Sequence, residues 1–240
     1  MKKIQLLGLA LLFTAATHAQ WSKKINGNGN VVTIDRTTAD YDALEVSGSF
    51  DVELVVGKEG KLSLTGEENL LQYIVTEVKN GNLIIKTEKG IYISPSHNKG
   101  ISLRIPVETI DAVSLSGSGD IVGRTKIRTD NFKTALSGSG DVTLDVEANS
   151  VVVSMSGSGD IVLKGKSTNI KINVSGSGDI DTYGLAADHV DASISGSADV
   201  DVTANQSLKV RVSGSGDISY RGNPQKIDTK SSGSGDISKR

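Results

Sequence analysis

Six times between residues 116 and 236 the chain repeats one phrase, Ser-Gly-Ser-Gly-Asp followed by Ile or Val, and a seventh copy at 195–199 has Ala198 for the second glycine. The aspartates stand at 120, 141, 160, 179, 199, 217 and 236, and an earlier relative, "SGSFDV", carries Asp51. Successive aspartates lie 21, 19, 19, 20, 18 and 19 residues apart. A repeat of this length is one supersecondary unit that cannot bury its apolar face alone, so it must stack on its neighbours. The segments between the phrases ("SVVVSM", "IKINV", "LKVRV") are β-branched and alternate in polarity, with no helical period. The pattern predicts an all-β, right-handed parallel β-helix or β-solenoid with coils of about 19 residues. The nine aromatic residues in 240 fit a thin aliphatic core better than a conventional globular one.

Alternation can be followed through the phrase itself. Counting each Asp as zero, position −5 holds Leu115, Leu136, Met155, Val174, Ile194 and Val212, and position +1 holds Ile121, Val142, Ile161, Ile180, Val200, Ile218 and Ile237. In an extended chain residues of one parity share a face. Both glycine positions therefore point inward, and the two serines and the aspartate outward. At −1 the glycine gives way to Phe50 and Ala198, so positive φ is not required there. Close backbone approach in a narrow strand is expected instead, while a bend at the invariant −3 glycine stays open.

Stacking turns the outward residues into columns, with carboxylates about 4.8 Å apart repelling by roughly 1 kcal/mol per pair in water. Serine hydroxyls, backbone N–H groups, basic side chains or bound cations could offset this. Asp120, Asp141, Asp160, Asp179, Asp199, Asp217 and Asp236 are thus the candidate metal ligands, with Ca²⁺ the cation they would take. No catalytic constellation stands out: His97 lies in "SPSHNKG" and His189 in "AADHVD", among many Ser and Asp. Trp21, Tyr41, Tyr73, Tyr92, Tyr183 and Tyr220 are scattered, which reads as core or end-cap use.

Residues 1–19 have a basic start, an apolar run from Ile4 to Phe13 and small residues ending at Ala19, which predicts a secretory signal peptide. Removing Lys2 and Lys3 with it takes the formal net charge from −2 to −4. That balance argues against nucleic acid or an anionic membrane as partner. With no cysteine, the fold uses neither disulfides nor a lipidated N-terminus. Residues 20–30 read as a flexible lead-in, and 31–240 as one elongated domain: irregular coils over 31–110, one helical turn at 68–73, then regular repeats over 111–240. The last repeat, with Ser231 and Thr229 at apolar positions, reads as a cap.

The segments "FDVELVVG", "GEENLLQYIVTEVKNGNLIIKT", "IPVETIDAVSLSGSGDI" and the recurring "SGSGDI" together resemble the head GIN domain family of putative auto-transporter adhesins, found in Bacteroidetes secreted proteins. The resemblance covers about residues 31–236. It implies a β-helix-like fold, a periplasmic, cell-surface or secreted location, and a non-enzymatic binding or scaffolding role toward an unknown glycan or protein ligand. It brings no catalytic residues and no cofactor. A carbohydrate-active β-helix enzyme and a calcium-dependent structural protein are the alternatives. Association of copies through the solenoid ends is compatible with either role.

Overall fold

The computed structural model describes residues 22–240, so the signal peptide expected at 1–19 and Trp21 lie outside the described residues. Five long strands, Ile121–Leu136, Val142–Met155, Ile161–Val174, Ile180–Gly196 and Val200–Gly214, each run from one repeated phrase to the next. Each pairs in parallel with the strand that follows it. The result is a β-solenoid of about seven turns with coils of about 19 residues. The register places equivalent residues one above another: Val142 on Ile161, Val151 on Ile170, Met155 on Val174. The apolar repeat positions thereby become continuous internal columns, and Ile121, Val142, Ile161, Ile180, Val200 and Ile218 are at most 1% exposed. β-branched side chains suit this stacking because one χ1 rotamer serves every rung. Within a coil the inward parity is reset once, where Asn149 and Ser150 both face outward between buried Ala148 and Val151, as a closed coil requires where it turns.

The N-terminal half follows a different route. Ala43–Gly48 and Phe50–Val56 form the coil that carries Asp51, stacked on Ala112–Gly117 and on Ile121–Gly123. Asn82–Thr87 and Ile101–Val107 add one further parallel layer beneath it. Two antiparallel strands, Ile74–Lys79 and Lys61–Glu67, close that layer, and Val31–Thr37 backs the second of them. The helical turn expected at 68–73 is a single turn over Glu68–Leu71. Antiparallel closure occupies edge groups that a parallel coil would leave open.

The expectation about the lead-in needs correction. Within the lead-in, Lys23–Asn26 form a strand paired in parallel with Ile91–Ser94. Ile25 and Ile93 pack half-buried against the core, and the turn that follows is pinned by Glu67, whose side chain is wholly buried. The Glu67 carboxylate accepts hydrogen bonds from Gly29 N–H and from both the N–H and hydroxyl of Ser96, the last two at 2.7 Å. A Cβ at Gly27 would fall inside that carboxylate, so glycine is what lets the chain pass. At the other end, Ser231 and Thr229 do continue the Val212 and Val210 columns. Every residue of Lys226–Gly233 is nevertheless exposed, so hydroxyls face solvent where inner coils hide aliphatic groups. Beneath them Leu208, Val210 and Val212 are at most 3% exposed.

Candidate functional site

The repeated phrase occupies one corner of every coil. Its alternation survives, with Gly119, Gly140, Gly159, Gly178 and Gly216 buried and the flanking serines and aspartates exposed. It is nevertheless a bend between strands, not the continuous strand that parity suggested. Each coil's corner rests directly on the one before. Ser139 N–H donates to Gly117 O at 2.9 Å and Ser158 N–H to Gly138 O at 2.8 Å. An L-residue Cβ at Gly159 would lie 1.9 Å from Gly140 O, and one at Gly157 would lie 2.1 Å from Gly138 O. The glycines therefore serve close contact along the solenoid axis, where a Cβ would meet the backbone of the preceding coil. The bend left open at −3 is real in four coils, where Gly48, Gly117, Gly214 and Gly233 have φ between 138° and 158°. None of the −1 glycines has positive φ, in keeping with Ala198 and Phe50 at that position, both fully buried.

All seven predicted aspartates, with Asp51, are brought into one column, and the backbone supplies what offsets their charge. The N–H of each aspartate donates to the carboxylate of the preceding one: Asp141 to Asp120 at 3.1 Å, Asp160 to Asp141 at 2.9 Å, Asp217 to Asp199 at 2.9 Å and Asp236 to Asp217 at 2.8 Å. The other rungs bond likewise. Each aspartate carbonyl in turn accepts the N–H of the +1 residue one coil back, as in Ile121 to Asp141 at 2.8 Å. A hydrogen bond to a charged acceptor contributes about 1.5–3 kcal/mol, against roughly 1 kcal/mol of repulsion per rung. Asparagine lacks the charge, and alanine lacks the acceptor. One carboxylate oxygen per rung is thus committed to the fold. Among the described residues no group of three or more His, Cys, Asp or Glu is placed to hold a metal ion.

Beside this column the +2 residues Asp181 and Asp201 widen the acidic strip into a cleft of about 510 Å³ that also contains Ser219, Ser238 and Arg240. His189 pairs through Nδ1 with Ser207 Oγ at 2.8 Å on an exposed face, and His97 sits in an exposed loop. Tyr183 is covered by the Arg221 guanidinium, 4.0 Å from its ring centre, and Tyr220 packs half-buried against the core.

On the other side of the corner lies a feature the repeat count alone did not reveal. Positions −6 and −4 share one outward face and are mostly small: Ser114, Ala135, Ser154, Asn173 and Ser193 in one column, which ends in Arg211 and Lys230, and Ser116, Ser137, Ser156, Ser175, Ser195, Ser213 and Ser232 in the other. Together with the −5 residues Leu136, Met155, Val174, Ile194 and Val212 they line a groove of about 620 Å³ that crosses the coils from Ala135 to Ser232, lies open to solvent, and has a mainly apolar exposed lining. A second hollow of about 210 Å³ continues it toward Leu44 and Asn82, sharing Ala135 and Ser137. At its far end the Arg211 guanidinium bonds Asp228 and holds that carboxyl below its usual range. The sequence does carry the signal, because reading columns at −6 and −4 reveals a stripe of mostly small residues, largely serine, on either side of the apolar −5 column.

Residues 40–224 match the family model described as "Putative auto-transporter adhesin, head GIN domain". Several solved structures share the fold. A putative adhesin from Bacteroides fragilis is 24% identical, with TM-score 0.80 over 90% of this chain and 100% of that one. A putative lipid binding protein from Parabacteroides distasonis is 27% identical, with TM-score 0.74 over 91% and 100%. A putative adhesin from Parabacteroides merdae is 21% identical, with TM-score 0.76 over 90% and 99%. No curated protein matches the sequence.

Proposed function

The chain belongs to the head GIN domain family, and from that membership together with the groove we propose that it is a non-enzymatic binding module acting in the periplasm, at the cell surface or after secretion. It holds an extended ligand along the solenoid axis. The observation that carries this reading is the continuity of the groove across successive rungs, each offering an apolar lining edged by a −4 serine. Identical rungs suit a polymeric ligand, because one weak contact is repeated at a fixed spacing and its energy adds along the length. Serine on a rigid strand also loses little side-chain entropy on binding. Catalysis asks for the opposite arrangement, a single cluster of unlike groups.

One relative is described as a lipid binding protein. An acyl chain would find a mainly apolar lining there but would keep one side in water, because the groove lies open; a polymer with apolar ring faces and polar edges fits both that lining and the flanking serines. The test is an array of glycans and matrix proteins probed with the purified protein and with Ser175→Trp, which fills the groove. Binding that disappears in the variant is expected. Binding indifferent to Ser175→Trp would refute the groove, and release of a cleaved product from a bound glycan would refute the non-enzymatic reading.

A further inference from the structure

Beside the groove, two residues further along each strand from the corner than its −6 lining, runs an outward column that is charged. In register it reads Lys133, Val152, Lys171, Asp191, Lys209, Asp228. Lysine recurs on alternate rungs, about 10 Å apart given the spacing of paired strands. The two acidic members are neutralised within the face, Asp191 by Lys209 at 2.8 Å and Asp228 by Arg211 at 2.5 Å. Lys133, Lys171, Lys226 and Lys230 form no ion pair among the described residues, and all four are exposed. This face is therefore positive on a chain whose formal net charge is −2. The acidity is gathered on the other side of the corner, in the aspartate column and the cleft beside it.

Resting on the groove reading above, we propose that the ligand is a linear acidic polysaccharide bearing one carboxylate or sulfate per disaccharide. Two rungs match the length of two sugar rings in an extended chain, so successive anionic groups meet Lys133 and Lys171, and Lys230 lines the groove at its far end. The uncharged ring lies over Ser154 on the Val152 rung or Ser193 on the Asp191 rung, whose hydroxyl groups can both donate to and accept from sugar hydroxyls. The sign of the face steers such a chain to the groove and away from the aspartates. A glycan with a charge on every ring would place half its anions against Val152 and Asp191, where no free cation stands.

Calorimetric titration of the purified protein tests this with a hyaluronan decasaccharide as the alternating anionic probe and a dextran oligosaccharide as the neutral one. Polygalacturonate, duplex DNA and phosphatidylglycerol vesicles complete the set. The expected result is preferential binding of hyaluronan that weakens as salt rises. It falls about tenfold or more in the Lys133→Gln/Lys171→Gln/Lys230→Gln variant, in which three exposed cations are neutralised together. Lys164→Gln, an exposed lysine outside the groove, leaves it unchanged. Equal affinity for polygalacturonate, stronger binding to DNA or vesicles, or insensitivity to the triple substitution overturns the proposal. Dextran bound as well as hyaluronan, and lost in Ser175→Trp, overturns the acidic ligand while leaving the groove reading intact; no binding by any array ligand or probe removes both.

Discussion

Gly159→Ala probes the corner most directly. The added methyl would sit 1.9 Å from Gly140 O and 2.8 Å from Gly140 C, more than 1 Å inside ordinary contact. The obstacle is backbone, held on both sides by ladder bonds, so no flexible side chain can yield. Relief requires this corner to lift from its neighbour. The bonds that would stretch include Ser158 N–H to Gly138 O at 2.8 Å, Asp160 N–H to Asp141 Oδ1 at 2.9 Å and Val142 N–H to Asp160 O at 2.9 Å. Losing two or three of these at about 1 kcal/mol each gives a destabilisation of about 2–3 kcal/mol, in the range for overpacking a core. For a domain of this size that is a fall in Tm of about 5–10 °C. Thermal unfolding followed by circular dichroism reads the shift, and hydrogen exchange should show lost protection at Ser158 and Asp160 before distant coils. Ala198→Gly is the matched control, expected to lower stability by no more than about 1 kcal/mol through added backbone freedom. A Gly159→Ala protein that melts within 1 °C of the parent would refute axial close contact as the reason for the glycines.

The aspartate ladder predicts that Asp160→Ala, which strands the Asp179 N–H, costs about 1–3 kcal/mol in urea unfolding, whereas Asp160→Asn, which keeps an acceptor oxygen, costs less. Because the carboxylates already hold backbone donors, EDTA should leave Tm unchanged, and a fall on chelation would reinstate a structural cation. The Ser96 N–H and hydroxyl, with Gly29 N–H, hold the Glu67 carboxyl below its ordinary value of 4.5. A depressed folded-state value contributes stability that is present above the unfolded value and lost as pH falls toward the folded one. Trypsin cleavage at Lys23 and Lys24 has no useful rate in acid, so the readout is hydrogen exchange of Ile25 and Gly27, whose protection should drop below about pH 4 in the parent. In Glu67→Gln that protection should be low and flat across the same range.

The repeat half of the fold was legible because its rule is local and reiterated: one parity decides burial, and one interval decides what lies above what. Direction within the corner was not legible. Parity says that Gly140 and Gly159 are buried, but only the stacking of one corner on another shows that a Cβ there meets a carbonyl oxygen along the axis. The N-terminal layer was harder still, since Phe50 pairs with Ile101 and Val32 with Gly66. Alternating strands carry no mark saying whether a distant partner will run parallel or antiparallel. Lys23–Asn26 resembled a loose leader because Asn and Gly surround it, and its anchor is a glutamate some forty residues away. In the groove, Ser175 and Lys171 are unremarkable as single residues and acquire meaning only as members of columns.

The corner also makes the molecule divisible. Excising Val142–Asp160 would join Asp141 to Ile161 and restore the same rung-on-rung interface, with the groove shorter by one strand spacing, about 4.8 Å. Yet that excision would bring Lys133 directly beside Lys171, so the charge pattern would slip out of phase while the backbone stayed in step. The backbone of this solenoid is thus a ruler graduated in single coils, while its basic face is graduated in pairs. Lengthening by two coils extends its reach without altering what it reads.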